Sequence, residues 1–145
     1  MKIVVQRVSH ASVTVDGKMI SKIGKGFLVL LGVTHNDTKE NADYLVKKLT
    51  NLRVFEDEQG KMNRSIQDEK GEMIVVSQFT LYANCSQGNR PSFIEAARPE
   101  IANPLYEYFL EECNKKGVPT YPGVFGAEMK VELLNDGPVT IIIEK

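Results

Sequence analysis

The sequence lacks tryptophan, contains two cysteines in 145 residues, and has no apolar run of the roughly 20 residues that a membrane helix requires. Cys85 and Cys113 lie far apart, and neither has a second cysteine or a histidine at the spacing of zinc ligands. We therefore expect reduced thiols, no membrane association, no metal and no cofactor.

An excess of charge of one sign is also missing. Lys and Arg number 18 against 19 Asp and Glu, a formal net charge of -1, so the molecule as a whole offers nucleic acid no positive field. Binding of RNA would require a local basic face.

Residues Met1–Val8 become polar within a few positions, unlike the apolar core of a signal peptide. These features predict a cytoplasmic protein, and the length predicts a single domain over residues 1–145.

Hydrophobic patterning predicts most strands. Segments that are rich in β-branched residues, or in which apolar and polar residues alternate, predict short strands at 3–8, 11–16, 53–55, 129–134 and 139–143. Asp16-Gly17 and residues 135–138 predict hairpin turns. Continuous apolar runs predict buried strands at Phe27–Val33, the expected centre of the sheet, and from Met73 to Tyr82. The charged, glycine-punctuated residues 56–71 predict a loop or ragged hairpin.

Two amphipathic segments predict helices. Asp37 and Glu40 are spaced as a capping box, and an apolar stripe follows at Ala42, Leu45, Leu49 and Leu52. The second helix is expected to begin at Pro99 or at Asn103-Pro104 and to end at 115–117, with an inner stripe of Leu105, Phe109 and Cys113. The order β-β-β-α-β-β-α-β-β predicts an α/β domain with mostly antiparallel pairing.

Common catalytic motifs are absent. The chain has no GxSxG, HExxH, Walker or GxGxxG pattern. Its two histidines, His10 and His35, lie in polar, turn-like contexts that favour surface positions over a catalytic triad. An enzyme with this sequence must therefore use other groups.

Two short segments contain residues that packing of a hydrophobic core does not explain, polar side chains in one and a Gly-Pro pair in the other. Ser77-Gln78-Phe79-Thr80 makes the end of a buried strand polar, which fits either a site held by the scaffold or merely the solvent end of that strand. Gly137-Pro138 fits either a plain hairpin turn or a tight turn with a cis bond, a form that costs an X-Pro bond roughly 0.5–1 kcal/mol.

Together these segments resemble a known family. Residues 77–81 (SQFTL) and 135–140 (NDGPVT) resemble the two signature motifs of the D-aminoacyl-tRNA deacylases, chiral-proofreading hydrolases also called D-tyrosyl-tRNA deacylases. The resemblance extends over essentially the whole chain, including the blocks 5–13, 90–93, 105–109 and 125–129. The expected fold is thus α/β: one domain of mostly antiparallel sheet closing toward a β-barrel, with two main helices.

The resemblance implies hydrolysis of the ester bond of D-aminoacyl-tRNA, and it leaves open whether glycine mischarged on tRNA is also a substrate. Members of the family are homodimers in which a Gly-Pro turn with a cis peptide enters the active site of the partner subunit. Gly137 and Pro138 would present backbone carbonyls to the amino group of the substrate and exclude L-amino acids by steric clash. Arg7 would lie near this turn and hold its carbonyls.

The first motif would hold the ester and the 3′-terminal adenosine. By resemblance, the Phe79 N–H would act as an oxyanion-type donor, Ser77 and Gln78 would orient the site, and Thr80 would lie close to the ester. The expected adenosine pocket is lined by Phe125, Gly126, Met129 and Ala102. Thr80 as a nucleophile has no base assigned to it, so we favour assistance to water by the 2′-hydroxyl of the terminal ribose.

A noncatalytic role is the alternative. The same fold could serve as an RNA- or protein-binding module, or as a factor acting at replication origins, an association of some eukaryotic relatives. The presence of both motifs favours the enzyme, because a binding-only descendant has no need of them. Six cations are available for tRNA phosphates, although two of them also fit the solvated face of a helix: Arg90, Arg98, Lys47, Lys48, Lys115 and Lys116.

Overall fold

The computed structural model describes all residues from Met1 to Lys145. The strands are β1 (Lys2–Val15), β2 (Lys18–Ile23), β3 (Gly26–Gly32), β4 (Phe55–Glu56), β5 (Met62–Arg64), β6 (Glu72–Ser77), β7 (Thr120–Pro122) and β8 (Lys130–Glu144). The helices are α1 (Lys39–Asn51) and α2 (Pro99–Lys115), and a 3₁₀ turn covers Phe79–Tyr82. Neither α-helix has the length and apolar character needed to cross a membrane.

The long strand β1 organises the sheet. Its first half pairs antiparallel with β3, its second half pairs antiparallel with β2, and β8 pairs antiparallel along both halves. Beyond β3, strands β6 and β7 are added in parallel. The predicted α/β class with mostly antiparallel pairing and two main helices is therefore confirmed.

The sheet curls because its two end strands meet. The path runs β2-β1-β3-β6-β7, and the Ser21 hydroxyl of β2 donates to the Pro122 carbonyl of β7 at 2.6 Å. Pro122 is tolerated there because β7 is an edge strand in which one N–H can be absent. This contact closes the sheet toward a barrel, as expected.

Hydrophobic side chains cover both faces of the central strand β3. Phe27 and Val29 belong to the larger core, which the sheet shares with α1 and α2. Leu28 belongs to the smaller core inside the curled sheet, together with Val13 and Ile74. The continuous apolar run of β3 is thus explained by burial on both faces.

Several predicted strands differ in the structure. Segments 3–8 and 11–16 form one strand, β1, and β2 was not predicted. The hairpin predicted at 129–143 is wrong, because β8 is one strand whose two arms both pair with β1. The ladder shifts register between Gln6 and Val8, opposite residues 135–140, which accommodates the Gly-Pro segment without reversing the chain, and shifts again opposite residues 133–135. The Asp16-Gly17 turn is confirmed, with φ of 49° and 77°.

The strand predicted from Met73 to Tyr82 is shorter than expected. It ends at Ser77, and the 3₁₀ turn begins at Phe79. Gln78 and Thr80 therefore do not alternate with Ser77 and Phe79 across a sheet. Residues 56–71 include the short β4–β5 hairpin, in agreement with the expected ragged hairpin.

The predicted buried stripes are confirmed except at Leu52, which follows the end of α1 and is half-buried. One predicted cap is corrected. The inner stripe of α2 is buried, and α2 begins at Pro99 rather than at Asn103. The capping box of α1 uses Thr38 and Asn41, not Asp37 and Glu40. Asp37 instead accepts the Thr34 N–H three residues before it and forms an ion pair with the distant Met1 ammonium group, and both contacts compete with the expected cap.

Candidate active site

A cavity of about 580 Å³ opens where β6 ends. Four parts of the chain form its walls: the ends of β3 and β6, the 93–97 loop with the start of α2, the Phe125–Ala127 segment and the start of β8. Most lining side chains are apolar, and Ser77 and Gln78 supply polar groups. Apolar clefts with a few placed polar groups are typical small-molecule sites.

Seven of the residues predicted for the site line this cavity. They are Ser77, Gln78, Phe79, Ala102, Phe125, Gly126 and Met129. The sequence separates them by up to 52 positions, and the end of β6, α2 and the segment after β7 bring them together. The other four predicted residues do not line it: Thr80, Arg7, Gly137 and Pro138.

The end of β6 presents the first motif. The Gln78 N–H donates to the Leu31 carbonyl at 2.8 Å, after which the chain leaves the sheet. The Gln78 amide nitrogen donates to the Thr80 hydroxyl oxygen at 2.5 Å. Phe79 is 55% exposed, and as the first residue of the 3₁₀ turn its N–H precedes the bonds that the turn itself makes. The 3₁₀ turn itself therefore supplies no acceptor for the Phe79 N–H, which leaves it suited to donate to an incoming oxygen.

The second motif forms a well-braced turn in β8. The Gly137-Pro138 peptide bond is cis, and Gly137 has φ of 140°. The Asn135 side chain accepts the Val139 N–H at 2.9 Å and donates to the Thr140 hydroxyl at 2.9 Å. Asp136, Gly137 and Pro138 are exposed. The turn is thus held from its base while its tip faces solvent.

Arg7 braces the same turn from inside the protein. Its side chain is 7% exposed, its Nε donates to the Asp136 carbonyl at 3.0 Å, and its Nη1 donates to the Val54 carbonyl at 2.6 Å. No carboxylate lies within ion-pair distance of Arg7, so backbone carbonyls alone satisfy the buried cation. Arg7 therefore lies beside Gly137 in the structure.

The cavity contains no titratable side chain among its lining residues. His10 and His35 are exposed, and the His35 Nε2 bonds to the Ile94 carbonyl at 2.7 Å. No group of three or more His, Cys, Asp or Glu side chains is arranged to hold a metal ion. The polar groups that this chain offers at the cavity are therefore backbone donors and the side chains of Ser77 and Gln78.

Sequence reasoning missed two aromatic contributors. Phe93 packs edge-on against Phe79, with ring centroids 5.1 Å apart, and lines the cavity. Tyr106 is 3% exposed, and burial raises the pKa of its hydroxyl to about 12. Its position in the inner stripe of α2 reads as plain core, so no sequence signal distinguishes it.

The chain is similar to known proteins over nearly its whole length. A family model described as D-Tyr-tRNA(Tyr) deacylase matches residues 4–144. The D-aminoacyl-tRNA deacylase of Parabacteroides distasonis is 58% identical over 145 residues, covering 99% of this chain and 97% of that protein. The D-aminoacyl-tRNA deacylase of Clostridioides difficile is 57% identical over 144 residues, covering 99% and 97%.

Two solved structures are similar over their whole length. A c-Myc DNA unwinding element binding protein has a TM-score of 0.93 and 49% identity, covering 100% of this chain and 99% of that one. A probable eukaryotic D-amino acid tRNA deacylase has a TM-score of 0.84 with 16% identity, covering 99% and 98%. The second likeness concerns the fold alone.

Proposed function

The chain belongs to the D-Tyr-tRNA(Tyr) deacylase family, and from this we propose that it hydrolyses the ester bond of D-aminoacyl-tRNA, releasing tRNA and the D-amino acid. The observation that carries the proposal is the cavity at the end of β6, where Ser77–Phe79 face Phe125 and Met129. Its volume of about 580 Å³ suits a nucleoside with an attached amino acid.

The 3′-terminal adenosine is the group that this cavity would hold. Phe79, Phe125 and Met129 offer apolar and aromatic surface to a base, while Ser77 and Gln78 lie at the polar edge. Stacking of a base on an aromatic side chain is worth about 1–3 kcal/mol. Gly126 and Ala102 have small or no side chains, which leaves space in the cavity for the adenine ring.

The Gly137-Pro138 turn would discriminate between D- and L-amino acids. Arg7 donates to the Asp136 carbonyl and the Asn135 side chain accepts the Val139 N–H, so both ends of the turn are fixed. The Gly137 and Pro138 carbonyls between them would therefore bind the amino group of the substrate in one fixed orientation. A rigid backbone next to the substrate Cα leaves room for hydrogen on one side only, and an L side chain would clash there. Rejection by exclusion requires no particular D side chain.

A second copy of the chain would supply that turn. Gly137 and Pro138 are exposed and lie outside the cavity of their own chain, so the site is incomplete without a partner. The outer edge of β8 pairs with no strand, and Ile142 and Leu134 on this strand are 67% and 53% exposed. A homodimer that covers β8 would bury this surface and deliver each turn to the other cavity.

The mechanism that fits these groups relies on the substrate for its base. The Thr80 hydroxyl accepts a hydrogen bond from Gln78, and no histidine, lysine or carboxylate bonds to it to make it a nucleophile. Water, assisted by the 2′-hydroxyl of the terminal ribose, would add to the ester carbonyl. The Phe79 N–H would stabilise the oxyanion, and the ribose 3′-oxygen would leave as that intermediate collapses.

The setting of the enzyme follows from its substrate. We propose that residues 1–145 form one domain, since the sheet and both helices share the larger core. Aminoacyl-tRNA is a cytoplasmic substrate, which supports a cytoplasmic location.

A nucleic-acid-binding role without catalysis is a second candidate. One observation favours it: the similar structure at 49% identity is of a DNA unwinding element binding protein. The two candidates differ in whether the ester is hydrolysed.

Deacylation of matched D-Tyr-tRNA and L-Tyr-tRNA tests the proposal, with Gly-tRNA and a chelator in parallel arms. We expect rapid release from the D-ester, at least about a hundredfold slower release from the L-ester, and no effect of the chelator. No release from either ester by a folded protein that binds tRNA would replace the hydrolase with the binding module.

A further inference from the structure

The buried hydroxyl of Tyr106 has no role in the proposed hydrolysis. Tyr106 lies in the inner stripe of α2 and is 3% exposed. Its hydroxyl donates to the Val75 carbonyl of β6 at 2.7 Å and accepts the Gly123 N–H at 3.0 Å. One oxygen therefore joins the central sheet, helix α2 and the segment that follows β7.

The hydroxyl stands at the end of the β6–β7 ladder. Val75 lies opposite Pro122, and the Met73 N–H bonds to the Pro119 carbonyl at 2.9 Å. If the hydrogen-bond pattern of this parallel ladder continued, the Gly123 N–H would be the next donor to the Val75 carbonyl. A bridge of two hydrogen bonds through an oxygen spans more than the ~2.9 Å of one direct bond. Strands β6 and β7 therefore diverge at the point where the cavity begins.

The residues that follow each bridged group are cavity walls. Ser77 and Phe79 come just after Val75, and Phe125 comes just after Gly123. The Tyr106 ring also packs on Phe125, with centroids 6.1 Å apart. One turn earlier in α2, Ala102 contributes to a third wall.

Met129 is coupled to the same bridge. Its sulfur accepts the Val124 N–H at 3.4 Å, and a Cβ placed on Gly123 would lie 2.6 Å from that sulfur. Movement of Gly123 toward β6 would consequently carry Phe125 and Met129 into the cavity.

We propose that Tyr106 is a positioning residue for the nucleoside end of the substrate, because its hydroxyl sets the separation between the Ser77–Phe79 wall and the Phe125–Met129 wall. The inference rests on the proposed function, which assigns this cavity to the terminal adenosine. Tyr106 touches no reacting atom, so its removal acts on substrate binding and not on bond cleavage.

Tyr106→Phe tests the proposal, because it removes the bridging oxygen and keeps the ring. The matched control is Tyr108→Phe, two positions along α2, where the hydroxyl bonds to Asp43 and the side chain does not line this cavity. For Tyr106→Phe we expect KM for D-Tyr-tRNA to rise about three- to tenfold, the effect of losing one or two neutral hydrogen bonds, with kcat within twofold of wild type. Adenosine monophosphate should bind more weakly by a similar factor.

A purely structural role would give another pattern. Both variants would then melt at lower temperature, with KM and nucleotide affinity unchanged, and this result would overturn the inference while leaving the hydrolase intact. A wild-type chain that is inactive on D-Tyr-tRNA would instead overturn the proposed function, and the inference with it.

A measurement on the wild-type chain covers the case in which Tyr106→Phe does not fold. The buried bridge predicts a slowly exchanging Tyr106 hydroxyl proton and a protected Gly123 amide, both shifted in NMR spectra on titration with adenosine monophosphate. Rapid exchange of both protons, or saturation with the nucleotide without a shift at either, would contradict the proposal.

Discussion

Arg7 shows how one buried charge can help to hold an exposed turn. Burial of a cation is costly unless hydrogen bonds replace its hydration. Arg7 meets this requirement with the carbonyls of Asp136 and Val54, and its planar guanidinium binds two acceptors that point in different directions. Lysine lacks this geometry, so the position of the Gly137-Pro138 turn depends on arginine at this residue.

Gly137 is a position at which a single methyl group should disturb the proposed site directly. An added Cβ would lie 2.8 Å from the Val139 side chain and 3.2 Å from Arg7 Nη2, at φ of 140°. We expect Gly137→Ala to lower kcat/KM for D-Tyr-tRNA about 10- to 100-fold, or to relax rejection of the L-ester, because the carbonyls are displaced.

The control for this substitution is Gly60→Ala. Gly60 also has positive φ, 78°, but open space surrounds its Cβ position. Both variants should fold, as judged by circular dichroism and thermal melting. Equal kinetics for the two variants would remove the turn from the proposed site.

Thr80→Ala distinguishes the two mechanisms. The Thr80 hydroxyl has one partner, the Gln78 amide, and a neutral hydrogen bond is worth about 0.5–1.5 kcal/mol, so single-turnover rates should stay above about a tenth of wild type. A fall of about 10⁵- to 10⁶-fold, as for removal of a triad serine, would establish Thr80 as the nucleophile.

The segment between β5 and β6 is fastened to the sheet by charge. The Glu69 carboxylate lies 2.7 Å from Lys25 Nζ and 2.7 Å from Arg64 Nε. These hydrogen bonds lower the pKa of Glu69 below its usual range. The cluster joins the start of β3 to the β4–β5 hairpin, far from the lining of the cavity.

This cluster predicts a pH-dependent contribution to stability. A carboxylate with a lowered pKa in the folded state contributes above its unfolded pKa of about 4.3, and that contribution is lost as pH falls through the folded pKa. Glu69→Gln should therefore have a lower urea midpoint than wild type at pH 7, and the difference should vanish near pH 2. A difference that is constant from pH 7 to pH 2 would contradict the charged role. Deacylase activity at pH 7 should be unchanged.

The assembled molecule, and not the single chain, is the unit that the proposed chemistry requires. The chain holds both motifs, but its own cavity contains only the first. Exposed apolar side chains on β8 and an unpaired strand edge make this face suitable for a second copy.

Ile142→Glu tests the assembly. We expect a monomer in sedimentation or light-scattering experiments, together with loss of D-Tyr-tRNA hydrolysis, because each cavity would lack the partner turn. Ile20→Glu, at an exposed isoleucine of β2, should stay dimeric and active. A monomeric Ile142→Glu protein with full activity would show that the turn acts without a partner.

The local sequence pattern was sufficient to predict the elements that depend little on which distant segment packs against them. The stripes of α1 and α2, the twice-buried strand β3 and the Asp16-Gly17 turn were all predicted, because periodicity and turn chemistry depend on near neighbours. The polar Ser77–Thr80 segment and the Gly137-Pro138 turn were likewise singled out by residue type.

Tertiary structure decided which segments meet. The two arms of β8 pair with β1 and not with each other, and Thr38 caps α1 because Asp37 has a stronger partner in the Met1 ammonium group. The cavity arises where β6 ends at Ser77, and the Tyr106 hydroxyl, indistinguishable in sequence from a core residue, spaces its walls. Such choices result from competition among distant groups for the same hydrogen bonds and apolar surface, and no window of neighbouring residues contains that information.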